Sequence, residues 1–279
     1  MSHLKFVFIS HCKDIAFFNP VKEGMREAGR LFNINVDFTG TEDIDIEEQK
    51  FLLEKAINEN VDGICLTVTH KDAFDDLIEK ALSSGIPVVC FNTDASKGIG
   101  KQLSSIVQDS YAAGTNLGNF MAEMIQEGSK ALLTLHSDGI DSLESRKKGI
   151  MDALSEKGIQ WRFITTGNGS EEARKRIKEF LQKEKGISYI FATGQDDTIG
   201  AGQAIQDLDL CDSVTVSGFD ISPLTKKLIK QKVIMASVDQ QPYAQGFYPV
   251  VQLFLYIKKR IAPSNIDAGS NIITIGDFV

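Results

Sequence analysis

Short apolar runs rich in β-branched and aromatic residues alternate with amphipathic stretches along almost the whole chain. The first run is LKFVFI at residues 4–9, after which Val21, Met25, Ala28 and Leu31 recur at helical spacing. INVDF at 34–38, a helical pattern over 46–58, VDGICLTV at 61–68, a helical pattern over 73–83 and IPVVCFN at 86–92 follow. Several of these runs are continuously apolar instead of alternating, which is the mark of strands covered on both faces. The repeated β-α rhythm therefore predicts a parallel sheet with right-handed helical crossovers.

A short strand, LSSIVQD at 103–109, leads into a helical stretch over 111–126, and the rhythm restarts with KALLTLHS at 130–137. QWRFITT, YIFAT, VTVSGFD and VIMASVD then alternate with helical patterns near 143–156, 171–184, 198–206 and 223–230. A helix over about 243–259 and a strand NIITIG at 271–276 come after the second half is complete. The expected architecture is α/β, with two doubly wound, Rossmann-like parallel-sheet lobes. Residues 1–108 with 240–267 form one lobe, and 109–239 with 268–279 form the other. Passages between lobes near Asp109, Gln240 and Ala268 make a three-crossing hinge, and a cleft beside such a hinge is a common small-molecule site.

Composition narrows the function. The chain has 279 residues, 42% hydrophobic and 24% charged, enough for two ordinary domains with cores that need no staples. A net charge of −8 and a pI near 5.1 leave no basic footprint for nucleic acid or an anionic membrane. Cys12, Cys65, Cys90 and Cys211 are scattered without CxxC spacing, and Cys65 and Cys90 fall inside predicted strands, so they read as plain thiols. No stretch is long and apolar enough for a membrane span, and the opening MSHLKF carries no secretory signal, so the chain is either cytosolic or lacks an export signal it once had.

Open α/β sheets bind ligands at the carboxyl ends of their strands. Those ends carry Ser10, His11 and Asp14 ahead of Phe17 and Phe18, then Thr67 and Thr69, then Asn92 and Asp94. The second half adds His136, Ser137 and Asp138, Arg146 a little later, Gln195, Asp196 and Asp197, Phe219 and Asp220, and finally Asp239 and Gln240. A sugar needs such a set, because each hydroxyl donates and accepts while the ring's C–H faces suit flat aromatics. Phe17, Phe18 and Phe219 are then walls of a clamp. The plainer reading makes these phenylalanines core residues, Arg146 a solvated charge, and one of Asp196 and Asp197 a helix cap. His11 and His136 invite a metal site, but no third ligand has suitable spacing.

The segments FFNPVKEGMREAG, VDGICLT, GIPVVCFNTDASKG, SRKKGIMDAL, FATGQDDTIGAGQAI, VSGFD and SVDQQPYAQGFYPV, in this order, resemble the landmarks of the type I periplasmic sugar-binding proteins, the ribose-binding-like receptors of ABC importers. The resemblance implies a monosaccharide or related polyol bound between the lobes, with hinge closure, no catalysis and no cofactor. It also implies an ABC permease as membrane partner, a monomer, no nucleic acid, and a place in the periplasm or on the extracellular face of the cell membrane. It assigns Phe17 and Phe18 to stacking, Asn92 and Arg146 to ring hydroxyls, Asp220 to the carboxylate of the GFD motif, and Gln240 to the hinge-side glutamine. Gly194 and Gln195 stand where the family commonly has Asn, and Ile15 and Ala16 where it has Asn-Pro. With His11, His136 and the Asn92–Asp94 pair, these departures point away from ribose itself.

Two other functions stay open. The effector-binding core of a LacI-type regulator shares this fold, although no helix-turn-helix precedes the first strand. A doubly wound enzyme would carry GxGxxG, GxxxxGK[ST], GxSxG or HExxH, and none is present.

Overall fold

The computed structural model describes residues 4–96 and 100–278; the last two residues of the GIPVVCFNTDASKG segment, 97 and 98, lie outside them. The chain divides into two compact units, Met1–Gln108 with Gln241–Ala268, and Asp109–Gln240 with Gly269–Val279. It passes from one unit to the other three times, and Gln240 falls with the second unit and Ala268 with the first, each one residue away from the expected boundary.

The first unit holds β1 (Lys5–Ser10), α1 (Phe18–Phe32), β2 (Asn35–Gly40), α2 (Ile46–Asn58), β3 (Gly63–Val68), α3 (Asp75–Ser83), β4 (Val88–Asp94) and β5 (Ser104–Val107). The second holds α4 (Ser110–Ala122), β6 (Lys130–Leu135), α5 (Asp141–Ala153), β7 (Gln160–Thr165), α6 (Ser170–Lys183), β8 (Ile187–Ala192), α7 (Gln195–Asp207), β9 (Thr215–Phe219), α8 (Pro223–Lys230) and β10 (Ile234–Asp239). The chain then returns to the first unit as α9 (Pro242–Lys259) and β11 (Ile266–Asp267), and closes in the second as β12 (Asn271–Thr274).

Strand order is β2-β1-β3-β4-β5-β11 in one sheet and β7-β6-β8-β9-β10-β12 in the other. All neighbours pair in parallel except β12, which lies antiparallel to β10. In each sheet the order reverses between the first and third strands of its unit, and that switch point is where doubly wound sheets take ligands. β11 is the one strand of the described residues that the sequence pattern does not signal, because two residues carry no periodicity.

Alternate residues of the central strands supply the two faces. Val7, Ile9, Ile64 and Leu66 pack beneath α2 and α3, whereas Phe6, Phe8, Cys65 and Phe91 meet α1 and α9. In the second sheet Leu132, Ile190 and Val216 face α6, α7 and α8, while Leu133, Phe191 and Phe219 face α4 and α5. Helix starts have local causes: Asp45 accepts from the Glu48 amide at 2.9 Å, and Asp109, the first residue after a crossing, accepts from the Ala112 amide at 2.9 Å.

Both units bring a crossing helix against the helix after their first strand, and both use glycine to do so. A Cβ on Gly24 would run into the Tyr243 carbonyl, and one on Gly246 into the Val21 carbonyl, so α1 and α9 touch backbone to backbone. Gly114 faces the Arg146 carbonyl and Gly149 the Tyr111 carbonyl in the same way, joining α4 to α5.

Candidate functional site

In the first unit the switch point lies between the ends of β1 and β3. Ser10 is fully buried there, against Gly40, and its Oγ has no protein partner. His11 Nδ1 lies 3.1 Å from Thr67 Oγ1, which bridges the two strand ends. The Gln49 amide nitrogen, from α2, donates to the Thr67 carbonyl at 2.8 Å and lies 3.1 Å from Thr67 Oγ1. Asn92, two residues before the end of β4, sits at φ 64° and donates through Nδ2 to Gln245 Oε1 of α9 at 3.2 Å. Asparagine tolerates this left-handed conformation better than most residues.

Three expectations for this unit change. Phe18 is fully buried, with its ring among Phe17, Phe38 and Phe91, so it fills core instead of walling a clamp. Phe17 belongs to the same cluster but keeps 9% exposure, which leaves it the aromatic of the pair nearer to solvent. Asp94 is spent on its own loop: Oδ1 accepts from the Ser96 amide at 3.0 Å and from the Ser96 hydroxyl, and Oδ2 from Gln102 at 2.7 Å and from the Ser105 hydroxyl. Asp14 is exposed beyond the strand end.

The second unit gathers its chemistry around Arg146. This arginine is 5% exposed, donates through Nη1 to the Thr193 carbonyl at 2.8 Å, and stacks 4.4 Å from the Phe219 ring centre. Burial lowers its pKa, opposed by the charges of Asp220 and Asp197. Arg146 is therefore a buried cation, not a solvated one, and fully buried Phe219 is its platform instead of a sugar wall. Asp220 adopts φ 73°, and its Oδ1 accepts from Gln240 Nε2 at 2.6 Å. Burial raises the Asp220 pKa, while Arg146 and the Gln240 hydrogen bond lower it.

α7 starts at Gln195, three residues earlier than the sequence pattern suggests, which puts Gln195 and Asp196 in its first turn. Asp197 is the cap: its Oδ1 accepts from the Gly194 amide at 2.9 Å, and its Oδ2 from the Thr193 amide at 2.8 Å and the Thr134 hydroxyl at 2.7 Å. Burial pushes its pKa up to about 7 against those hydrogen bonds. Asp196 accepts from the Gly169 amide at 3.1 Å. His136 follows β6, with Nδ1 3.1 Å from Ser137 Oγ; burial lowers its pKa, and Asp196 opposes that.

The structure thus brings together His11, Thr67 and Ser10 in one unit, and His136, Arg146, Asp220 and Gln240 in the other. Sequence reading misses Gln49 and Gln245, both buried amides inside amphipathic helices, where a polar residue reads as solvent-facing. The one available signal is position, since each falls in register with buried apolar neighbours, Leu53 for Gln49 and Pro249 for Gln245. Among the described residues no group of three or more His, Cys, Asp or Glu is placed to hold a metal ion, and no helix is long and apolar enough to cross a membrane.

Comparison with known proteins agrees with the fold of the two units. Over 97% of this chain and 71% of its own length, the xylose/arabinose-binding protein of Sulfolobus acidocaldarius is 28% identical. The crystal structure of a periplasmic sugar-binding protein of an ABC transporter from Legionella pneumophila superimposes with a TM-score of 0.88 at 25% identity, covering 96% of this chain and 100% of that one. A carbohydrate transporter solute-binding protein from Agrobacterium radiobacter, solved with D-arabinose, gives 0.90 at 23% identity over 100% and 96% of the two chains. The model of the periplasmic binding protein domain matches residues 6–261, and the chain belongs to that family.

Proposed function

We propose that this protein is the sugar receptor of an ABC-type importer and that it takes an aldopentose or a close relative. The observation that carries this reading is the pairing of hydrogen-bonded polar groups at both sheets' strand ends with relatives named for xylose, arabinose and ribose. Arg146, Asp220 and Gln240 form a preordered donor and acceptor set for ring hydroxyls, and from the first unit His11 and Asn92 add polar groups while Phe17 offers a flat apolar face for the ring's C–H side. The three chain crossings act as the hinge on which the units close over the ligand, so binding is a shift in conformation with no catalytic step. The protein works as a monomer outside the cytoplasmic membrane and hands its sugar to a permease. Relatives named for ribose import favour this reading over a regulator core.

A thermal-shift screen tests it, with D-xylose, L-arabinose, D-arabinose and D-ribose set against hexoses, deoxysugars and inositols. A ligand at about 100 times its Kd adds about 2.7 kcal/mol of stability. At least one pentose should raise the Tm at sub-millimolar concentration. A flat response to every aldose and polyol would end the proposal.

A further inference from the structure

The first turn of α7 bonds to three strand ends as well as to its own helix. Asp197 Oδ1 accepts from the Gly194 amide at 2.9 Å, as a cap does, but Oδ2 reaches out of the helix to the Thr193 amide at 2.8 Å and to the Thr134 hydroxyl of β6 at 2.7 Å. The Gly194 amide and the Thr193 carbonyl belong to one peptide group, and that carbonyl accepts from Arg146 Nη1 at 2.8 Å. An amide N–H and a guanidinium only donate and a carbonyl only accepts, so atom type alone fixes every direction from Asp197 Oδ1 to Arg146. Asp197 thus grips one side of the peptide whose oxygen holds the cation. The Thr193 hydroxyl, donating to the Thr134 carbonyl at 2.9 Å, ties the same residue to β6.

The next residue serves the other support of Arg146. Thr198 Oγ1 donates to the Gly194 carbonyl at 2.6 Å and accepts from the Phe219 amide at 3.0 Å. A Cβ on Gly218 would run into that hydroxyl, so β9 is bare where the two meet. Phe219 is the ring whose centre lies 4.4 Å from the guanidinium. We infer that Asp197 and Thr198 are positioning residues for Arg146, one acting through the peptide between Thr193 and Gly194 and the other through Phe219, and that together they set the direction in which the guanidinium meets the ligand. This rests on the reading of Arg146 as a sugar contact in the proposed site. Helix capping accounts for the bonds to Gly194, whereas those to Thr193, Thr134 and Phe219 hold the ends of β8, β6 and β9.

The test uses the full chain labelled with 15N-arginine, with Arg146 assigned by its loss in Arg146→Lys. The wild type should give separate signals for the Arg146 Nη hydrogens, and a single averaged signal overturns the proposal. Thr198→Val removes the hydroxyl at nearly constant shape and should shift or merge these signals, and Thr198→Ser, which restores the hydroxyl, should return them. Asp197→Asn, whose one oxygen cannot serve both backbone amides, should act like the valine variant. Asp45→Ala, which removes the cap of α2 in the other unit, should leave the signals unmoved. Calorimetry with the pentose found by thermal shift, corrected for unfolded protein, should show about tenfold weaker binding for Thr198→Val and recovery to within about twofold for Thr198→Ser. Unmoved Arg146 signals or unchanged affinity in Thr198→Val overturns the proposal, as does an equal loss of affinity in Asp45→Ala. Should Asp197→Asn not fold, the two Thr198 variants decide. If no sugar binds the wild type, the proposed function falls, and the spectra still decide whether Asp197 and Thr198 order Arg146.

Discussion

The Arg146 guanidinium lies 4.4 Å from the centre of the Phe219 ring while donating to the Thr193 carbonyl at 2.8 Å. The ring's negative face and the carbonyl hold the cation from two sides, so its orientation is set before any ligand arrives. Desolvated cation–π contacts of this kind contribute about 2 kcal/mol.

Phe219→Leu should separate this role from plain packing. Leucine keeps much of the apolar volume but gives up the ring face under Arg146, so stability should fall by about 2 kcal/mol, whereas Phe219→Ala should lose about 3–5 kcal/mol. Sugar affinity of the Leu variant should drop about tenfold because Arg146 loses its platform. Calorimetry beside urea denaturation checks both numbers, and a Leu variant with wild-type affinity would refute the platform role.

The glycine crossings make a sharper stability prediction. In Gly246→Ala the new methyl meets the Val21 carbonyl, which is backbone and cannot swing aside, so α1 and α9 must separate. A loss of about 2–4 kcal/mol is expected. Gly202→Ala is the control: its Cβ would meet only the flexible ends of Leu228 and Ile234, at 3.1 and 3.2 Å. There the gain of up to about 1 kcal/mol in helix propensity offsets the crowding. Equal losses in the two variants would contradict the backbone-contact account.

Much of this layout is legible in the sequence because burial on both faces of a parallel sheet writes itself as apolar runs, as in GICLTV of β3, buried along its whole length. Strand ends are legible for the same reason, since the first polar residue after such a run marks the carboxyl edge, as Ser10 and His136 do. What a side chain does at that edge is less legible. Asp94 and Asp220 look alike in sequence, yet one accepts from Ser96 and Gln102 of the following loop and Ser105 of β5, and the other faces Arg146 and Gln240. The Phe17–Phe18 pair shows the same limit, because a helix start turns successive residues by about 100°, so neighbours in sequence have different surroundings.

That pair gives the next prediction. Phe18→Ala should cost about 3–5 kcal/mol of stability in the ligand-free protein, as expected for a fully buried ring. Phe17→Ala should cost less and should weaken pentose binding more, once affinities are corrected for unfolded protein. Equal stability losses with unchanged affinity in both would return Phe17 to the core.

Asp197 predicts a pH dependence with a definite sign. Its carboxyl, near 3.8 when exposed, titrates at about 7 in the folded chain. The native state therefore holds a proton that the unfolded state has released, and stability falls as pH rises from about 4 to about 7. His136 works oppositely, since burial lowers its pKa and stability is lost as pH falls through the upper part of the same window. Subtracting the pH profile of Asp197→Asn from that of the wild type removes the His136 contribution. The difference should slope downward with rising pH between about 4 and 7; a flat or rising difference would mean that the three donated hydrogen bonds outweigh burial.

Arg146 and Asp220 make the last prediction, which needs no ligand. Both are buried, and the cation's field offsets part of the burial penalty on Asp220. Removing only the arginine leaves the buried Asp220 and Asp197 without its charge, and a buried charge stripped of its compensation costs about 3–5 kcal/mol. Arg146→Met should therefore be severely destabilised, so an exposed, solvated arginine is the wrong picture for this position. Asp220→Asn keeps an oxygen to accept from Gln240 and should lose less. The double variant removes both charges at once, so its loss should be smaller than the sum of the two single losses by more than about 0.5 kcal/mol, the usual scatter of independent sites. Urea denaturation of the four proteins measures the difference, and additivity within that scatter would mean that the two charges do not support each other in the fold.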